Sequence, residues 1–155
     1  MNTREVIRDA VPERSTPVME FTIVDRDGVG FKPDTLVVTL RNYLDGSIIN
    51  GRERTNVLDA NGCTVSVGGL VQWQMLPLDT AIVLGLDDVL VDTSRPLPTD
   101  AILARGLEVH VALFEWTWNG GAGQNAHEIE HRVQNILGRP GAVAGAGSAA
   151  GLGGV

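Results

Sequence analysis

The sequence predicts an all-β fold, an antiparallel sandwich of short strands, and three observations predict it. Residues 69–80 (GLVQWQMLPLDT) put Val71, Trp73 and Met75 on one face and Gln72 and Gln74 on the other, ahead of a Pro-x-Asp-Thr corner. Residues 107–136 hold a strand, a glycine turn and a second alternating strand. Turn dipeptides recur between short apolar runs, with no long helical period. Successive side chains leave a pleated backbone on opposite sides, so a strand buried on one face alternates with period two.

The 155 residues, 43% of them hydrophobic, amount to one domain with room for a core. No apolar run is long enough to cross a bilayer as a helix. Residues 1–17 alternate arginine with acidic residues and do not read as a signal peptide. A net charge of −7 argues against nucleic acid, which selects a basic stripe. The single cysteine, Cys63, excludes an internal disulfide and a cysteine-based zinc cage, and fits folding in a reducing compartment. Lys32 is the only lysine among 12 basic residues. That bias suits arginine-rich interfaces and follows equally from a GC-rich genome.

Three regions follow in order: an N-terminal arm over residues 1–17, a body over 18–137 and a tail over 138–155. The arm is polar and bracketed by Pro12 and Pro17, and one helical turn is expected around residues 4–9. In the body, residues 18–24 form a strand closed by the hairpin signal Asp27-Gly28. Residues 35–43 alternate, with Leu36, Val38 and Leu40 on the core face, until Asp45-Gly46 closes them and a short strand begins at 48–50. Asn61-Gly62 and Gly68-Gly69 flank a strand at 64–67. Residues 81–106 break the pattern with Gly85, Asp87-Asp88, Pro96 and Pro98; they read as an excursion with a short helix at 99–105.

The strand at 107–118 is apolar on both faces. His110, Ala112, Phe114, Trp116 and Trp118 lie on one side, Val109, Val111 and Leu113 on the other. A cover is therefore expected, from residues 81–106 or from another subunit. The tail, with seven glycines and five alanines, has linker composition.

His127-Glu128-Ile129-Glu130-His131 satisfies the zinc-protease pattern, whose chemistry needs both histidines on one helical turn. Its flanks alternate with period two, and on a strand the pair would stand about 13 Å apart. Gly120-Gly121-Ala122-Gly123 lacks the following helix and lysine of a phosphate loop. Asp87, Asp88 and Asp92 lack the ligand spacing of a calcium loop. No serine sits in a G-x-S-x-G elbow, and Cys63 has no basic neighbour in sequence to activate it. Neither catalytic residue, cofactor nor metal is expected.

The body resembles the immunoglobulin-like domains of small structural proteins of tailed bacteriophages, baseplate and tail-fibre adaptor proteins among them. The resemblance rests on Glu20-Phe21-Thr22-Ile23-Val24-Asp25 with Asp27-Gly28 behind it, Thr35–Leu40, and Asn61-Gly62. It continues in Gly69-Leu70-Val71-Gln72-Trp73, Pro77-x-Asp79-Thr80, and Phe114-Glu115-Trp116-Thr117-Trp118 paired with residues 127–136. It covers about 120 residues, leaving out the arm, the excursion and the tail. The resemblance implies an immunoglobulin-like β-sandwich and a non-enzymatic virion component, made in the bacterial cytoplasm. It would dock at the head, neck or tail against portal, adaptor, capsid or tail subunits, as part of a symmetric multimer. Arg4, Arg8 and Arg14 of the arm, Val109, Val111 and Leu113 of the aromatic strand, and Arg139 and Leu152 of the tail are the expected partner interface. The alternatives are a capsid decoration protein and a sandwich module that binds a host surface or carbohydrate.

Overall fold

A computed structural model describes residues 3–83 and 107–134. Eight strands follow in chain order: β1 (Thr3–Pro12), β2 (Val18–Thr22), β3 (Thr35–Asn42), β4 (Thr55–Asn56), β5 (Cys63–Val65), β6 (Leu70–Gln74), β7 (Leu107–Trp118) and β8 (Gly123–Gln134). They form a five-stranded sheet in the order β1-β8-β7-β3-β4 and a three-stranded sheet in the order β2-β6-β5. The fold is all-β, as the alternation required. The helix expected at 99–105 lies outside the described residues.

Two expectations are corrected at the N-terminus. Residues 4–9 are not a helical turn but the middle of β1, and the larger sheet is mixed because β1 runs parallel to β8. The physical reason lies across the strand gap. Arg4 reaches Glu130 at 2.5 Å and Glu128 at 3.3 Å, and Glu5 lies 3.4 Å from His127. The β-branched residues Thr3, Val6, Ile7 and Val11 favour the extended backbone, and Pro12 ends it. Local helix signals in so short a segment are weak against such cross-strand pairs. The register slips between Val6 and Ala10, so β1 follows β8 with a bulge rather than as an even ladder.

The two sheets share one core. Leu36, Val38, Leu40, Trp73 and Phe114 are fully buried and Trp116 nearly so, as the alternation places them. Phe114 is the bridge between layers: its ring centroid lies 5.7 Å from that of Trp73, edge on, and 4.8 Å from that of Phe21. The Trp73 indole N–H donates to the Asn61 carbonyl at 3.2 Å, so its burial leaves no orphan donor. Truncating such a side chain to alanine costs about 3–5 kcal/mol.

The Pro-x-Asp-Thr corner is a 3-10 turn over Pro77–Thr80 in which Asp79 is wholly buried. One oxygen of Asp79 accepts from Arg52 Nε and Asn50 Nδ2, both at 2.8 Å. The other accepts from the Leu76 N–H at 2.8 Å and from Arg52 Nη2 at 3.2 Å. The corner thereby ties the end of β6 to the loop before β4. A second tie is steric. Gly69 has φ +86°, and a Cβ there would stand 2.4 Å from the Ile23 carbonyl oxygen and 2.7 Å from that of Phe31, so only glycine fits.

Candidate functional site

A recess of about 750 Å³ opens at one end of the two sheets. β2 brings Phe21, β7 brings Trp116 and Trp118, and β8 brings Asn125 and His127. The chain after β2 adds Asp25, Arg26, Asp27 and Gly28 to the lining. That stretch is a hairpin, as Asp27-Gly28 signalled. The Asp25 carboxylate accepts from the N–H groups of Asp27 and Val29, both at 2.9 Å, Gly28 takes φ +82°, and Val24 bridges Gly30. A carboxylate satisfying two turn amides fixes the backbone locally.

The aromatic wall is equally fixed. Phe21 meets Phe114 with ring centroids 4.8 Å apart and the His127 ring at 4.7 Å, both tilted. Trp118 meets Phe31 edge on at 5.5 Å. Gly123, paired with Trp118 across the hairpin, makes room for the indole, because a Cβ there would fall 2.2 Å from its Cε2. Phe21 and Trp118 remain half-buried, whereas Trp116 is 5% exposed. Thr3 Oγ1 holds His127 at 2.6 Å from Nδ1, while the Glu5 carboxylate lies 3.4 Å from Nε2 without a hydrogen bond.

His110 and His131 are cross-strand partners with ring centroids 5.5 Å apart, both buried. His110 Nε2 lies 2.6 Å from Glu108, whereas neither nitrogen of His131 has a hydrogen-bond partner among the described residues. Burial first, and the adjacent His110 second, hold the His131 pKa well below the ordinary imidazole value. The H-E-x-x-H segment lies wholly on β8. His127 sits against Phe21 while His131 sits against His110, so the two serve different neighbourhoods. Among the described residues no cluster of three or more His, Cys, Asp or Glu is placed to hold a metal ion.

The residues expected at a partner interface distribute unevenly. On the sheet face turned away from the core, Leu113 pairs with Glu128, the partner of Arg4, and Val111 pairs with Glu130, the partner of Val6. Arg4, Val111 and Leu113 therefore share one surface. Val111 and Leu113 are half-buried and Val109 is buried, so the double burial expected of β7 is complete only at Val109. Arg4 is exposed but engaged with Glu130 and Glu128, the Glu130 hydrogen bond first among the contacts that raise its pKa. Arg14 is exposed at φ +58° and donates its backbone N–H to Thr80. The side chain of Arg8, together with Arg139 and Leu152, lies outside the described residues. The recess itself was not expected. Its sequence signal is the aromatic spacing Phe114, Trp116, Trp118, which continues past the length the core needs.

No family model, curated protein or solved structure matches this chain.

Proposed function

We propose that this chain is an immunoglobulin-like sandwich and a non-enzymatic structural protein of a tailed-bacteriophage particle. The observation that carries the reading is the strand order. Lettered along the chain as A, B, C, C′, D, E, F and G, the eight strands give one sheet A-G-F-C-C′ and another B-E-D. These are the G-F-C-C′ and B-E-D groupings of immunoglobulin variable-type sandwiches, with the first strand on the G edge. Between strands B and F, where antibody domains carry a disulfide, this chain places Phe21 against Phe114. A disulfide-free body with one cysteine suits a protein folded in a bacterial cytoplasm.

The docking surface in this reading is the outer face of the larger sheet. Half-buried Val111 and Leu113 supply apolar area there, with the ion pairs of Arg4 at their border. Aliphatic contacts edged by arginine and carboxylate match the anatomy of protein interfaces. Portal, adaptor, capsid or tail subunits are the partners, in a symmetric assembly.

Mass spectrometry of purified particles tests the reading, together with incorporation of Leu113→Glu and of a chain ending at residue 138. The expected result is a fixed copy number per particle, reduced in both variants while each isolated protein stays folded. Absence of the chain from particles would overturn it.

A further inference from the structure

We propose that the recess between Phe21, Trp118 and the turn carrying Arg26 and Asp27 is a binding site for a neutral saccharide. This does not depend on the virion reading. Its volume of about 750 Å³ lies within the roughly 300–1,000 Å³ of small-ligand sites. The chemical class follows from the contrast between its aromatic and its polar lining.

Part of the lining is aromatic and rigid. Phe21 is clamped by Phe114 and His127, and Trp118 lies over Gly123 with Phe31 at its edge. Both rings are half-buried, so each keeps part of its surface open. The negative face of an aromatic ring attracts weakly positive C–H groups, which a pyranose presents together on one face. Because the rings are fixed before the ligand arrives, stacking costs little conformational entropy.

The rest of the lining offers planar polar groups. Arg26 and Asp27 are exposed on a turn whose backbone Asp25 already fixes. Asn125 uses its carbonyl oxygen on the Ala126 N–H, leaving its amide N–H groups to donate. Guanidinium, carboxylate and amide can each engage adjacent hydroxyls in pairs. Two acids against one arginine disfavour phosphates and acidic sugars. A wholly apolar ligand would desolvate these groups without replacing their hydrogen bonds. A neutral sugar satisfies both kinds of lining.

The test uses the full chain and a defined probe set: tetrasaccharides of β-1,4-glucose, α-1,4-glucose, β-1,4-mannose, β-1,4-galactose and β-1,4-N-acetylglucosamine. Binding is read by isothermal titration and by the tryptophan indole N–H resonances. At least one probe is expected to saturate with a dissociation constant of about 1 mM or tighter, shifting an indole resonance. Trp118→Ala should weaken it at least tenfold. Since that variant also alters packing, Asp27→Ala and Arg26→Ala on the exposed turn carry the same expectation with melting temperature unchanged. Arg54→Ala, outside the recess, should bind as the parent does. Failure of all five probes at 20 mM, or binding that survives both turn variants, would overturn the proposal. So would preference for a basic peptide or an acidic glycan over every neutral probe.

Discussion

Asp79 receives Arg52 through two nitrogens, Nε at 2.8 Å and Nη2 at 3.2 Å, with the carboxylate wholly buried and the arginine side chain 9% exposed. The same guanidinium lies 5.9 Å from the Trp73 ring centroid, so the pair couples the corner after β6 to the core. Removing one member strands a buried charge. Asp79→Ala is expected to destabilise the fold by about 3–5 kcal/mol, measured by urea unfolding. Replacing both residues by aliphatic ones of similar volume should cost much less. A single-variant cost below about 1 kcal/mol would show that Arg52 finds water when released.

Gly69→Ala tests backbone rather than charge. The left-handed φ alone costs roughly 1–3 kcal/mol for a residue with a Cβ, and here that Cβ also meets two carbonyl oxygens. Loss of at least about 2 kcal/mol is expected. The control Gly46→Ala, also at positive φ but with open space around it, should pay the conformational term alone.

Acid should weaken the fold through His131. Its folded pKa lies below the ordinary value of about 6.5, so the unfolded chain takes up the proton first. Stability is therefore full above that ordinary value. It falls as pH drops below about 6.5 and levels only when the folded ring also protonates, with a slope of at most about 1.4 kcal/mol per pH unit. His110 and Glu108 are the titratable neighbours on β7. His131→Leu removes the group while filling the space, so its unfolding midpoint should vary less between pH 7 and pH 5 than the parent's. An unchanged pH profile would assign the dependence elsewhere.

Cys63 should resist alkylation. Burial chiefly, and the nearby Asp59 charge secondarily, push its thiol to about 11. The thiolate at pH 8 is then about one in a thousand. Asp59 stays charged because Lys32 and the Val65 N–H both donate to it. Reaction with a disulfide reagent should be slow in native buffer and complete within the mixing time in denaturant.

The body was legible because its signals are local. Alternation at residues 36–40 and 71–75 placed Leu36, Val38, Leu40 and Trp73 in the core, and Asp27-Gly28 marked its hairpin. The period-two flanks of His127 and His131 likewise mark the strand β8, on which the two rings meet different neighbours. What the sequence did not disclose depends on distant partners. A strand at residues 3–12 becomes recognisable only beside Glu128 and Glu130, more than a hundred positions away. The recess likewise needs β2, β7 and β8 assembled, since Phe21 and Trp118 look like ordinary core aromatics until their open sides are seen. The Asp79–Arg52 pair hid for the same reason: a buried ion pair has no period to read.

The parallel course of β1 along β8 also decides where the two ends of the described chain emerge. Thr3 stands beside His127, at the mouth of the recess, whereas Pro12 stands beside Gln134 at the other end of the same ladder. A probe attached to the side chain at position 3 would therefore sit against the recess and report its occupant. One attached at position 12 or 134 stands at the opposite end of the ladder and should be silent to it.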